Sequence, residues 1–295
     1  MSENAENAEN AKDARRFAPA VVAGEAAAAA VSVESTSSVP DPRAAAFFDI
    51  DNTVVRGASL FHLARGLAAR KFFTASDVAA FAWKQTKFRV AGHEDLDDIA
   101  SAVDAGLSFV AGHTVAEVTQ LGDEIFDERI ADKLYSGTIA LAQEHLDKGQ
   151  RVWLVSAAPV EIASIIASKL GLTGALGTVA EAYGGVYTGR LVGAPLHGPA
   201  KAEAVRALAQ REGLDLAQCA AYSDSSNDIP MLTLVGQPVA VNPDSKLRRH
   251  ARALGWQVYD YRTGRKAAKI GVPTAVVMGA AAGIAAGVLT SRRKK

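Results

Sequence analysis

An α/β fold built on a parallel sheet is what this 295-residue sequence predicts, from three observations. Apolar, strand-like runs alternate with amphipathic helical segments from Arg43 to about Arg262, the pattern of strands joined by crossover helices. Most of those runs end in polar residues. One long interval, between Arg56 and about Ile130, holds only helical patterns and interrupts the alternation directly after the first strand, as an inserted domain would.

The elements follow in order. "AAAFFDI" (44–50) is the first buried strand. Four helices are expected in the insert: "SLFHLARGLAAR", "ASDVAAFAWKQTKFRV", "HEDLDDIASAVDAGLSFVAG" and "TVAEVTQLGDEIFDERI". "IADKLYSGTIALAQEHLDKG" is an amphipathic helix stopped by Gly149. "QRVWLVSA" is a second buried strand, followed by the helix "PVEIASIIASKLGL" with Pro159 in its first turn. "AKAEAVRALAQREG" is a further helix, and "QCAAYSD", "QPVAVN" and "GWQVYDY" are short strands. The expected organisation is therefore a core of residues 44–56 and 131–262, with an all-helical cap at 57–130.

The two ends differ from this middle. Residues 1–43 are low-complexity and rich in Ala, Glu and Ser, and are expected to be disordered, with at most a transient helix in the alanine run 26–30. The acidic start does not resemble a secretory signal. Residues 263–295 form a basic and apolar tail in which 270–290 carries no charge. That run is long enough for a bilayer span, and Gly279, Gly283 and Gly287 make a small-residue stripe. Its Ala and Gly content favours insertion weakly, and a helix packed on the protein is the other reading.

Composition narrows the function. A formal net charge of zero gives no footprint for nucleic acid. A single cysteine, Cys219, excludes an intrachain disulfide and fits a cytoplasmic protein. The six histidines show no metal-ligand spacing, although His197 stands four residues before Lys201. Neither G-x-x-x-x-G-K-[ST] nor G-x-G-x-x-G occurs, which disfavours a P-loop ATPase or a dinucleotide-dependent dehydrogenase.

The chemistry-bearing residues sit where strands end. Asp49 and Asp51 follow the first strand, Ser156 the second, and Asp224, Asn227 and Asp228 lie in "SDSSND" after a later one, while Lys201 opens a helix after "HGPA". Ligands of open parallel sheets bind at that edge. Singly, each residue has a plain structural reading: a turn or cap for D-x-D, Ser156 and "DSSND", and a surface position for Lys201. An EF-hand counted from Asp49 fails, with Val54 at its glycine position and Leu60 at its final ligand. Together, converging carboxylates call for a cation, and oxygen ligands with open positions suit Mg²⁺ and a phosphate.

This motif set, "DIDNT", "VSA", the Lys of "GPAKAEA" and "SDSSND", resembles the haloacid dehalogenase (HAD) superfamily of phosphohydrolases over about 43–262. The likeness is to the subfamily IB branch with a helical, C1-type cap after the first strand, which includes phosphoserine phosphatases. The resemblance implies a Rossmann-like core, Mg²⁺ and an aspartyl-phosphate intermediate. It implies Asp49 as nucleophile and metal ligand, and Asp51 as general acid/base and metal ligand through its carbonyl. Ser156, Lys201 and Asn227 would hold phosphate, Asp224 would ligate the metal, and Thr53 and Asp228 would support the site. One departure concerns substrate: the acidic residue that phosphoserine phosphatases place seven positions after the acid/base aspartate is Ala58 here, which disfavours phosphoserine. The leading expectation is a phosphomonoesterase for a small phosphorylated metabolite. The alternatives are a membrane-associated phosphatase of lipid or glycerol phosphates, anchored at the C-terminus, and a non-catalytic regulatory protein on the same fold.

Overall fold

The computed structural model of the chain describes residues 19–30, 43–70, 72, 107 and 110–262. Its first element is a helix over residues 19–29, α1. The remaining elements begin with β1 (Ala45–Asp49), α2 (Ser59–Ala69), α3 (Val115–Ile125), α4 (Ser136–Asp147), β2 (Arg151–Pro159) and α5 (Val160–Lys169). There follow β3 (Gly174–Thr178), β4 (Ala180–Tyr183), β5 (Val186–Leu191), α6 (Pro199–Glu212), β6 (Ala220–Ser223), α7 (Ile229–Leu232), β7 (Gln237–Val241), α8 (Ser245–Ala253) and β8 (Gln257–Tyr259). A single π-helical turn, Phe126–Ile130, continues α3.

Six strands form one sheet in the order β3-β2-β1-β6-β7-β8, and β1 pairs in parallel with both β2 and β6. The β2–β3 and β6–β7 pairings are also parallel. The chain first builds outward from β1 through β2 to β3, then returns past β1 to start the other half at β6. The switch point of the sheet therefore lies between β1 and β6, where the crossover helices leave a crevice beyond the strand ends.

Burial explains the sequence of β1. All five residues are inside, with covered faces on both sides, so its apolar residues run continuously instead of alternating. Phe48 stacks on Tyr222 of β6 at 4.1 Å, while Phe47 joins a core cluster with Trp153, Val155, Leu176 and Ala221. Helix α6 contributes Ala204, Val205 and Leu208 to that cluster, and α8 contributes Leu247 and Ala251.

Of the insert's expected helices, the first and last are present as α2 and α3; residues 75–90 and most of 93–112 lie outside the described residues. Helix α3 packs tightly on α5: a Cβ at Gly122 would come within 2.7 Å of Ile162 and 2.9 Å of Ile165. Charged pairs on the rim, Arg70 with Glu124 and Glu128, join α2 to α3. The segment leading into α3 is also held by the β4–β5 hairpin, with Tyr187 N–H donating to His113 O and Gly112 N–H to Tyr187 O.

Two features depart from the sequence reading. Residues 19–29, inside the tail expected to be disordered, form α1, with Ala23, Ala27 and Ala28 buried in the same core cluster. The reason is tertiary: alanines and a glycine present too little apolar surface to reveal a face until another helix of small residues meets them. The β4–β5 hairpin and α8 were likewise not anticipated: the hairpin is short and Gly-containing, and α8, though amphipathic, buries only Leu247 and Ala251 among basic residues. Among the described residues no helix is long and apolar enough to cross a membrane; 270–290 lies outside them.

Against the back of Phe48 and Tyr222 sits His145 of α4. Its Nε2 pairs with the Tyr222 hydroxyl at 2.7 Å and its Nδ1 with Gln150 Oε1 at 2.6 Å. Burial lowers its pKa below the usual 6.5, only partly offset by Gln150. An imidazole kept neutral in the fold but free to protonate when unfolded binds more protons in the unfolded state, so this stabilisation is present above pH 6.5 and is lost as pH falls below it. The expected result is that the stability difference between the wild-type protein and His145→Gln narrows as pH is lowered from 7.5 to 5.5. Urea midpoints across that range check it, and a constant difference would refute it.

Candidate active site

The loop after β1 is wound so that its aspartates face the switch point. Val54 and Val55 N–H both donate to Ile50 O, and Asn52 N–H donates to Val55 O at 2.7 Å. Asn52 takes a left-handed backbone conformation at φ 58°, tolerable for asparagine. Two neighbours lock this turn: Asn242 Nδ2, at the end of β7, donates to Asn52 O at 2.9 Å, and Thr138 Oγ1 of α4 donates to Thr53 O at 2.7 Å. Neither residue was singled out from the sequence. Asn242 had a detectable signal as the polar end of "QPVAVN"; Thr138 lies inside a helix and had none.

At the centre stand Asp49, Lys201 and Asp228, only 4%, 4% and 1% exposed. The Lys201 ammonium donates to Asp49 Oδ1 at 2.5 Å and to Asp228 Oδ2 at 2.8 Å. Thr53 Oγ1 donates to the other oxygen of Asp49 at 3.1 Å, and Ser223 Oγ, at the end of β6, donates to Asp228 Oδ2 at 2.8 Å. Residues separated by 152 positions are thus joined because β1, β6 and the start of α6 all end at one edge. Isolated buried charges would be prohibitively costly; each of these has a partner within hydrogen-bond reach.

Asp51 is held differently. Its Oδ1 accepts the backbone N–H of Ser59 at 2.8 Å, satisfying one orphan donor in the first turn of α2. The local cap position, Ala58, has no side chain able to do so, so the carboxylate two residues beyond Asp49 is tied to the first helix of the insert.

Charge is unbalanced at this edge. Burial raises the pKa of Asp49 well above its usual 3.8; Lys201 opposes that, while Asp228, Asp224 and Asp51 add to it. Asp224 is pushed up to about 7, by burial first and then by Asp228, with Lys201 again opposing. Burial pulls the Lys201 ammonium down, but Asp228 and Asp49 outweigh it and the net direction is up, so it stays charged. Four carboxylates therefore share one ammonium, an arrangement that a cation would relieve.

The donor set fits a hard divalent ion of restricted kind. Among the described residues no three His, Cys, Asp or Glu side chains form a ready side-chain metal cluster. Mg²⁺ does not need one, since it is bound through one or two carboxylates and keeps several waters. Asp49 and Asp224 would supply the carboxylates and the loop after β1 a carbonyl; no zinc-like nitrogen or sulfur set is present among the described residues.

The other expected residues are at the same edge without joining the central network. Ser156 is 1% exposed, and its Oγ accepts Ala158 N–H at 3.1 Å. Strand β2 runs on to Pro159, with irregular pairing to β3 from Val155, so Ser156 lies inside the strand and the helix starts only at Val160. This agrees with the strand run "QRVWLVSA" and sets aside the alternative reading of Ser156 as a cap of the following helix. Asn227 is exposed, its backbone N–H bound to Ser225 Oγ at 3.2 Å. His197 is half-buried between charges: burial and Lys201 lower its pKa while Asp228 raises it.

Comparison with known proteins places this geometry. The haloacid dehalogenase-like hydrolase family profile matches residues 46–233. The chain is similar to the phosphoserine phosphatase SerB1 of Mycobacterium tuberculosis, 57% identical over 254 residues that make up 86% of this chain and 82% of that protein. Among solved structures, a protein of unknown function from Bordetella pertussis Tohama I superposes with a TM-score of 0.66 at 29% identity, over 74% of this chain and 99% of that one. A substrate-bound phosphoserine phosphatase complex shares the fold with a TM-score of 0.50 at 23% identity, over 77% and 97% of the two chains.

Proposed function

The chain belongs to the haloacid dehalogenase-like hydrolase family, and from that membership we propose that it is a Mg²⁺-dependent phosphomonoesterase acting through an aspartyl-phosphate on a small phosphorylated metabolite. The observation that carries this reading is the buried Lys201 bridge between Asp49 and Asp228 at the switch point. A lysine placed there neutralises a nucleophilic carboxylate and leaves the ammonium in reach of a phosphoryl group docked on it.

The steps follow from the groups. Asp49 attacks phosphorus; a new O–P bond forms as the ester P–O bond breaks, and the departing alkoxide takes a proton from Asp51. Asp51, held by Ser59 N–H, then accepts a proton from water as that water attacks the acyl phosphate, releasing inorganic phosphate and regenerating Asp49. Lys201, Ser156 and Asn227 bind the phosphoryl oxygens, and Asp228 and Thr53 keep Lys201 and Asp49 in place. Mg²⁺, held by Asp49, Asp224 and the Asp51 carbonyl, would supply charge neutralisation on the transferring group. On this reading residues 57–130 would be the cap domain beside the substrate site.

The name of the 57% identical relative makes phosphoserine the first substrate to test, whereas Ala58 removes the acidic group expected to meet its ammonium. The test is phosphate release from a panel that includes phosphoserine, neutral sugar phosphates and lysophosphatidate, with Mg²⁺ and after EDTA. Turnover that EDTA abolishes and Mg²⁺ restores is expected, with a loss of at least about 100-fold on metal removal. Preference for lysophosphatidate would direct the site to lipid phosphates, in keeping with the uncharged run 270–290. No metal-dependent turnover on any ester would refute the reading.

A further inference from the structure

Helix α1 precedes the part of the chain that matches the family, yet it is built into the core directly behind the helix that carries Lys201. Its contacts run the length of α6. Ala23 presses on the loop before α6, where a Cβ at Gly193 would fall 2.7 Å from Ala23 N. Gly24 lies against the second turn: a Cβ there would meet Ala204 N at 2.6 Å, the Glu203 carbonyl carbon at 2.8 Å and Glu203 Cβ at 2.9 Å. At the far end, Arg211 donates to Ala28 O. Ala23, Ala27 and Ala28 share one buried cluster with Leu196, Ala200, Ala204 and Leu208.

We propose that α1 is a brace that holds α6, and through it Lys201, in register with Asp49, and that Gly24 is the positioning residue that permits the close approach. Three facts support it. The contact is backbone against backbone, and the first atoms that a Gly24 side chain would meet are main-chain atoms that cannot rotate away. Those atoms belong to residues two and three positions after Lys201. The Lys201 ammonium has no slack, being 2.5 and 2.8 Å from two buried carboxylates. Interiors packed this tightly transmit a displacement instead of absorbing it.

The kinetic part of the proposal rests on the phosphatase reading; its structural part does not. The experiment compares full-length wild-type protein with Gly24→Ala, Gly24→Leu and the control Val22→Ser, whose side chain is 45% exposed on the outer face of α1. Amine labelling with an N-hydroxysuccinimide ester is quantified by mass spectrometry at Lys201, relative to the exposed Lys246. Gly24→Leu is expected to raise Lys201 labelling about tenfold by loosening its local structure, Gly24→Ala to raise it less, and Val22→Ser not to change it. If the ester panel reveals turnover, kcat/KM should fall about 10- to 100-fold in Gly24→Leu through the displaced ammonium. Unchanged labelling in both Gly24 variants overturns the brace. Labelling that rises equally at Lys201 and at the partly buried Lys133, with loss of a cooperative urea transition even in Gly24→Ala, overturns the positioning role. Increased Lys201 labelling in the Gly24 variants, when the wild-type protein hydrolyses no ester, upholds the brace while removing the phosphatase reading.

Discussion

Replacing Asp49 by asparagine is expected to lower phosphate release by a factor on the order of 10⁴ to 10⁶, the scale for removing a covalent nucleophile from an otherwise intact site. The same change is expected to leave the metal-free protein at neutral pH as stable as the wild type or more so, by about 1 kcal/mol. Asp49 is buried, and its pKa is raised above 3.8, so the folded state holds its proton more tightly than the unfolded state does. A carboxyl shifted in that direction favours folding below pH 3.8 and loses that advantage as pH rises. The asparagine gain should therefore be present at pH 7 and vanish toward pH 4. Mg²⁺ should reverse the order at pH 7, because an ion that binds the folded wild type stabilises it by mass action and the variant lacks the ligand. Thermal melts with and without Mg²⁺ at pH 7 and pH 4 check the set; a variant with residual turnover within tenfold of wild type would remove Asp49 from its role.

Lys201→Met produces the second large effect, and there activity and stability fall together. Asp49 and Asp228 each rely on the ammonium, and with Asp224 and Asp51 facing the same space no other cation among the described residues pairs with them. Removing one partner of a buried charge cluster costs about 3–5 kcal/mol because the remaining charges stay buried. The carboxyls left behind take up protons in the folded state at higher pH than in the unfolded state, so the destabilisation is fully developed at neutral pH and shrinks as pH falls toward 4. Urea midpoints from pH 4 to 8 should converge on the wild type at the acid end; a pH-independent deficit would mean lost packing and not unpaired charge. Lys201→Arg is not expected to rescue, since a planar guanidinium does not fit a site 4% exposed and shaped for a point donor.

The Asp49–Lys201–Asp228 set was legible in the sequence because its chemistry is concentrated at strand ends. Each carboxylate after an apolar run has a plain structural reading by itself; it was their recurrence at successive strand ends that pointed to one site. The supporting residues were less legible for the same reason in reverse. Thr138 is one polar residue inside an amphipathic helix, and Ser223 one hydroxyl inside a short strand. What makes them matter is a single hydrogen bond each, to Thr53 O and to Asp228 Oδ2, across sequence separations that carry no pattern.

By itself, then, the sequence determined the α/β architecture and the identity of the charged residues. Apolar periodicity and the cost of burying unpaired charge are local properties that residues carry wherever they are placed. Only the tertiary structure decided that Asp51 caps the first turn of α2 and that residues 19–29 are an ordered helix behind Lys201. Those outcomes depend on what a segment meets. An alanine and glycine face gains little from leaving water alone, and becomes a firm contact only where a second helix of small residues lets two backbones close to van der Waals distance.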